Sequence, residues 1–145
     1  MRLYTIGFTK KSADQFFGAL EVAHVARVVD IRLNNVSQLA GFAKKQDLAY
    51  FLQRVSNIDY LHVPDLAPTQ LMLDSYKKQG GLWDEYERRF LQLMKERRIE
   101  VTWATELRDG DCLLCSEEKP RNCHRRLVAE YLAAHDERIE IRHLV

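Results

Sequence analysis

One short run, Cys115-Ser116-Glu117-Glu118-Lys119-Pro120-Arg121-Asn122-Cys123-His124-Arg125, gathers two thiols, an imidazole, two carboxylates and several cations before an amphipathic segment. With Asn122 as a helix cap, Cys123, His124 and Arg125 fall in the first turn, where unpaired N–H groups and the positive dipole end favour an anion. A phosphate or carboxylate suits that position. The same field favours a thiolate at Cys123, and Arg121, His124 and Arg125 add to it, which makes Cys123 a candidate nucleophile. Cys123 also stands one turn before Leu127 and two before Tyr131, the spacing of a small, inert residue facing the core. His124 and Glu117 complete the candidate catalytic set as proton carriers.

Two other patterns in this run carry less. Cys115 and Arg121 have the cysteine, five residues, arginine spacing of a phosphatase loop. Glu117 and Glu118 lie inside it and glycine is absent, so the loop would bring negative charge to a dianion without permissive backbone positions. Cys112, Cys115, Cys123 and His124 offer four possible metal ligands. On a strand, Cys112 and Cys115 point to opposite faces, and adjacent residues on a helix diverge by about 100°. No metal and no cofactor is therefore expected.

Asp30-Ile31-Arg32 ends an apolar run, and the strand period directs Asp30 and Arg32 to one face. Arg32 can clamp an anion with Asp30 orienting it, or the two can simply neutralise each other. Gly7 opens Gly7-Phe8-Thr9-Lys10, which offers backbone donors, a hydroxyl and a cation. His62 beside Tyr60 is either an acid or base or a packed polar residue.

The elements that must position these residues follow from apolar periodicity. Leu3 to Ile6, Arg27 to Ile31, Ile58 to Val63, Cys112 to Cys115 and Ile139 to Leu144 read as strands, the second as one buried on both faces. Helical spacing is expected after a Ser12 cap, over Asp47 to Ser56, over Thr69 to Arg98 with a break at Gly80-Gly81, and over Asn122 to Ala134. Ile99 to Leu107 fits either a strand or a helix. The alternation predicts an α/β fold: a single domain over 1–145, with a five-stranded, mainly parallel sheet and helices on both faces. Ligands of such sheets bind beyond the carboxyl ends of the strands, where Gly7, Asp30, Arg32 and Cys115 stand.

Composition narrows the classes. Against 22 Lys+Arg stand 21 Asp+Glu, a net charge of +1, which removes the simple counterion-release case for a duplex binder. A 46% apolar and 30% charged chain with three prolines is globular rather than disordered. The longest uncharged stretch, Leu33 to Ala43, is far short of the roughly 20 residues that span a bilayer. No membrane association is expected. The first residues turn polar before a signal-peptide apolar region forms, and the three clustered cysteines suit reduced thiols. A cytoplasmic location is the expectation.

Taken together, Thr5-Ile6-Gly7, Val29-Asp30-Ile31-Arg32, Leu113-Leu114-Cys115-Ser116-Glu117 and Cys123-His124-Arg125 resemble the family called domain of unknown function 488. Phe8 and Thr9 replace its usual His-Ser, and Asn34 or Asn35 replaces a proline, while Ser37 and Phe42 still match its loop. The resemblance implies an α/β fold in which Gly7, Asp30, Arg32, Cys115, Glu117, Cys123, His124 and Arg125 converge on one pocket; it supplies no reaction.

The function expected is binding of a phosphate-bearing ligand, a nucleotide or nucleic-acid end, by Gly7, Asp30, Arg32, Cys115 and Arg125. Cys123, His124 and Glu117 are the residues that would perform any chemistry. The alternative is a non-catalytic module that contacts nucleic acid or an acidic protein through Arg88, Arg89, Arg97 and Arg98 on a basic helix face, a face that is ordinarily just solvated.

Overall fold

The computed structural model describes residues 1–34, 41–117 and 119–145. Asn35 and Ser37, noted in the family resemblance, and Glu118 of the cysteine-to-arginine loop lie outside the described residues.

Strands β1 (Arg2–Gly7), β2 (Arg27–Asp30), β3 (Asp59–His62), β4 (Asp111–Cys115) and β5 (Glu140–His143) form one sheet in the order β3-β2-β4-β1-β5. Every neighbouring pair is parallel, so the α/β expectation holds and the sheet is wholly parallel. Helices α1 (Ala13–Val22), α2 (Lys45–Phe51), α3 (Gln70–Leu73), α4 (Trp83–Glu96), α5 (Ile99–Thr102) and α6 (His124–His135) cover it. None of the helices among the described residues is long and apolar enough to cross a membrane.

Two layers explain the apolar runs. On one face Leu3, Val29, Ile31 and Leu113 meet Phe90 and Met94 of α4, Ile99 of α5 and Leu127 of α6. On the other, Ile6, Val28, Cys112 and Leu114 meet Phe16 and Leu20 of α1 and Leu48 of α2. β2 and β4 are buried throughout, the pattern of strands covered on both faces. The edge strands β3 and β5 alternate exposed and half-buried residues, and their charged side chains discourage further pairing.

Local chemistry sets the helix ends. Ser12 caps α1 as expected: its Oγ accepts from the Gln15 N–H at 3.2 Å while the Gln15 side chain accepts from the Ser12 N–H at 2.9 Å, a reciprocal capping box. α2 runs into a wider turn over Leu52–Ser56 and stops where Asn57 turns left-handed. The Thr69 to Arg98 stretch divides into α3, a wide turn over Asp74–Lys78, and α4, with Gly80 at φ 67° in the break. The ambiguous 99–107 segment resolves as helical at its start, and Ile99, Trp103 and Leu107 are all buried at their four-residue spacing.

α6 departs from expectation. Its cap is Cys123, with extended backbone (φ −136°, ψ 139°), and Asn122 is exposed outside the helix. Cys123 therefore lies one residue before the first turn, and His124 opens it.

At the amino-terminal edge of the sheet, Arg27 forks onto Asp111 at 2.9 and 2.7 Å, both residues nearly or fully buried. Its guanidinium also donates to the Glu106 carbonyl, which anchors the segment entering β4.

Candidate functional site

At the opposite edge, β2 and β4 end side by side and α6 begins above them. Here a cavity of about 180 Å³ is lined by Arg32, Cys115 and Glu117, by Cys123 and His124, and by the aromatic side chains Tyr76 and Trp83. It is smaller than ordinary ligand pockets of roughly 300–1,000 Å³, room for a phosphoryl group or a single ring.

Arg32 is held from below. Its Nε and Nη2 donate to the two Asp30 oxygens at 2.9 and 2.7 Å, and its backbone N–H donates to Asp30 at 3.1 Å. Tyr60 adds its hydroxyl to Asp30 at 2.5 Å, and the Phe8 ring lies 5.3 Å from the guanidinium carbon, a cation–π distance. Asp30 is fully buried and Arg32 is 3% exposed. Arg32 Nη1 has no hydrogen-bond partner among the described residues, although a buried donor of a charged group is costly to leave unsatisfied. Of the two alternatives weighed for the Asp30 and Arg32 pair, the mutual neutralisation is present, and it leaves one Arg32 donor over.

His124 is half-buried, and its Nε2 donates to the Ile31 carbonyl at 2.8 Å. A carbonyl only accepts, so the ring proton sits on Nε2. Burial above all pushes its pKa down to about 4; the Ile31 bond works against that, and positive Lys77 and Arg125 reinforce it. The imidazole is neutral near pH 7. Its ring also packs 5.5 Å from Phe90. His62 Nε2 likewise bonds the Arg32 carbonyl at 2.8 Å, so its place is beneath the site as a brace for the strand end.

Cys115 and Cys123 are joined in a disulfide, S–S 2.10 Å with Cα atoms 7.6 Å apart, which corrects the expectation of reduced thiols. Cys112 is the free, buried cysteine. It packs on the α1 face while Cys115 packs on the α6 face, as the strand period requires. The divergence expected of Cys123 and His124 does not occur, because Cys123 precedes the helix and its extended backbone turns its sulfur back toward β4.

Arg125 stands apart from the cavity. It is fully buried, donates from Nε to Thr5 Oγ1 at 3.2 Å, reaches the Cys115 sulfur at 3.7 Å with Nη1, and bonds the Glu117 carbonyl with the same nitrogen. Desolvation lowers its pKa to about 10, still far above neutrality. Gly7 makes room for this: a Cβ there would lie 1.6 Å from the Glu117 carbonyl oxygen and 2.6 Å from Arg125 Nη1. Gly7 and Arg125 therefore brace the Cys115 to Glu117 turn from behind. On the β2 side the Ile31 N–H donates to the Leu114 carbonyl at 3.0 Å, which ties the end of β2 to the end of β4.

Glu117 lines the cavity and pairs with Lys77 at 2.8 Å, both about half exposed. Arg121 is exposed and lines a separate surface hollow beyond Trp83, so the phosphatase spacing does not wrap the Cys115 sulfur. Of the residues expected at the site, Arg32, Cys115, Glu117, Cys123 and His124 line one cavity, and Gly7, Asp30 and Arg125 support it. Sequence reasoning missed Tyr60, Tyr76, Lys77 and Trp83. Trp83 stacks on Tyr86 at 5.1 Å, and with Tyr86, Phe90, Leu93 and Met94 it has the spacing of a core-facing helix stripe; the Gly80-Gly81 break just before it was the available signal.

The family model described as Domain of unknown function DUF488 matches residues 12–132 of the chain. No curated protein and no solved structure matches it.

Proposed function

Since the chain belongs to the DUF488 family, whose description names no activity, we propose its function from the cavity: binding of a phosphate-bearing ligand, a nucleotide or nucleic-acid end. The observation that carries this is Arg32 Nη1, a buried guanidinium donor without a partner among the described residues, on a side chain that lines the cavity. It stands beside the amino terminus of the twelve-residue helix α6, which supplies N–H groups and a positive dipole end. Asp30 cancels the Arg32 charge, so directed donors rather than net potential attract the anion. The cavity has room for the phosphoryl group but not for a whole nucleotide. A sugar and base would lie outward, where Tyr76 and Trp83 offer aromatic surface for stacking. Cys123, His124 and Glu117 border the same space; with Cys123 tied up in the disulfide, His124 and Glu117 are the groups placed to act on a bound phosphoester, and binding is proposed without a reaction. The cytoplasmic location expected from the sequence belongs to this proposal.

The alternative basic face on α4 is less well prepared. Arg89 pairs with Glu85 at 2.8 Å, and Arg97 donates to the Asp65 and Ala67 carbonyls, leaving Arg88 and Arg98 as the exposed members outside those contacts.

The test is thermal unfolding of the oxidised chain against inorganic phosphate, mononucleotides, and short DNA and RNA bearing 5′-phosphates. A ligand of the folded state raises the midpoint by mass action. The expected result is a rise with one phosphate class that is absent in Arg32→Lys; no rise with any of them overturns the proposal.

A further inference from the structure

The sulfurs of Cys115 and Cys123 and a ring nitrogen of His124 lie within 4.8 Å of one another. The three residues come from the end of β4, the cap of α6 and its first turn. Two thiolates and one imidazole are a donor set for a zinc-class divalent cation, and three protein donors leave a fourth position open.

Two features of the geometry favour such an ion over a chance cluster. The His124 Nε2–H is tied to the Ile31 carbonyl, which leaves Nδ1 as the nitrogen with a lone pair; a backbone carbonyl on the far ring nitrogen is how metal-bound histidines are oriented. The Cα atoms of Cys115 and Cys123 are 7.6 Å apart, outside the roughly 4.4–6.8 Å that disulfides usually span. That separation suits two sulfurs standing about 3.8 Å apart on one tetrahedral ion, given zinc–sulfur bonds of about 2.3 Å. Arg125 Nη1, 3.7 Å from the Cys115 sulfur, would offset thiolate charge from behind.

We propose that, with Cys115 and Cys123 reduced, the chain binds one zinc-class divalent cation through Cys115 Sγ, Cys123 Sγ and His124 Nδ1, with the fourth position open to the cavity of Arg32 and Glu117. This departs from the absence of metal expected from the sequence: Cys112 does face away from Cys115, but Cys123 lies before the helix rather than in it. The disulfide opens by taking two electrons and two protons from a dithiol, which becomes a disulfide in turn. The cation then displaces the two thiol protons into solvent and forms two metal–sulfur bonds. A reducing compartment favours the metal form, and oxidation releases the ion. The site is independent of the anion proposal, because the ion binds whether or not a phosphate fills the cavity.

The experiment is anaerobic titration of the full chain with cobalt(II) and then zinc(II), without phosphate, after reduction by a dithiol and its removal by gel filtration. The expected result is one equivalent of cobalt, tetrahedral visible bands and an ultraviolet thiolate charge-transfer band, all displaced by zinc. Cys115→Ser and Cys123→Ser should each lose most of the charge-transfer intensity, His124→Ala should shift the visible bands and weaken binding at least tenfold, and Cys112→Ala should change neither. The oxidised wild-type chain, which needs no substitution, should bind no cobalt. A folded, reduced chain that takes up no cobalt overturns the proposal, as does uptake without thiolate bands or uptake equal in the oxidised chain.

Discussion

Arg32 grips Asp30 from two residues away along the chain: both carboxylate oxygens are taken, at 2.9 and 2.7 Å, and the Arg32 backbone N–H joins at 3.1 Å. Tyr60 closes the remaining side at 2.5 Å. The guanidinium is thereby held in one orientation with Nη1 as its spare donor. Arg32→Lys keeps the charge and loses the planar fork, so it should weaken phosphate-ligand affinity by about 1.5–3 kcal/mol, the worth of a charge-assisted hydrogen bond. Isothermal titration of the folded variant checks this; unchanged affinity would remove Arg32 from the binding site.

Tyr60→Phe separates support from binding. It removes one hydrogen bond to a buried carboxylate and should cost about 1.5–3 kcal/mol in urea unfolding. The ligand contacts are untouched, so the ligand-induced rise in Tm should persist. A variant of wild-type stability would show that Asp30 does not depend on Tyr60.

Two glycines should behave in opposite ways. Gly7→Ala forces its Cβ onto the Glu117 carbonyl and should destabilise by about 1–3 kcal/mol, as overpacked sites do. Gly18→Ala in α1 meets nothing within 4 Å and should stabilise by up to about 1 kcal/mol through helix propensity. Denaturant midpoints measured side by side decide both; an undisturbed Gly7→Ala would mean that the Glu117 turn is not seated against β1.

The buried Arg27 and Asp111 pair makes Asp111→Ala the most damaging single change at the amino-terminal edge. An uncompensated buried guanidinium should cost about 3–5 kcal/mol. Because the pair lies at the far end of β4 from the cavity, ligand affinity of the remaining folded protein should be unchanged. Calorimetry with titration of the same sample tests both halves.

His124 gives the pH dependence of the metal-free, oxidised chain. Its folded pKa, down at about 4, lies below the ordinary 6.5, so the unfolded chain takes up this proton first. Stability from this group is complete above about pH 6.5 and is lost as pH falls toward 4, with no further loss below. Replacing His124 by Gln should flatten that part of the Tm profile. Nuclear magnetic resonance titration of the ring reads the value directly, and an ordinary midpoint near 6.5 would show that the ring is solvated.

The layers were legible because the inner strands are short apolar runs broken by turn residues, and the five strand positions follow from them. Ile99 to Leu107 stayed open between strand and helix because β-favouring residues stand there at helical spacing; burial of Ile99, Trp103 and Leu107 in the cluster that holds the α4 side chains decides for the helix at its start. Asn122 was a reasonable cap by type, yet Cys123 holds the position, and that one-residue shift is what brings two sulfurs and His124 together. Arg125 illustrates a different limit. No local pattern reveals that a guanidinium will be swallowed between Thr5, Cys115 and Glu117, because its partners are spread across strands far apart in sequence.

The sheet order has a bearing on how the molecule assembles in time. β1 bonds only β4 and β5, and β2 bonds only β3 and β4, so the two earliest strands have no direct pairing. On a ribosome, where chains emerge amino terminus first, β2 and β3 can zip together early while β1 waits. The strand that joins the halves, Asp111–Cys115, is the same one that ends in the cavity. Closing the sheet and completing the site are therefore a single late event, and a nascent chain halted before Asp111 has neither.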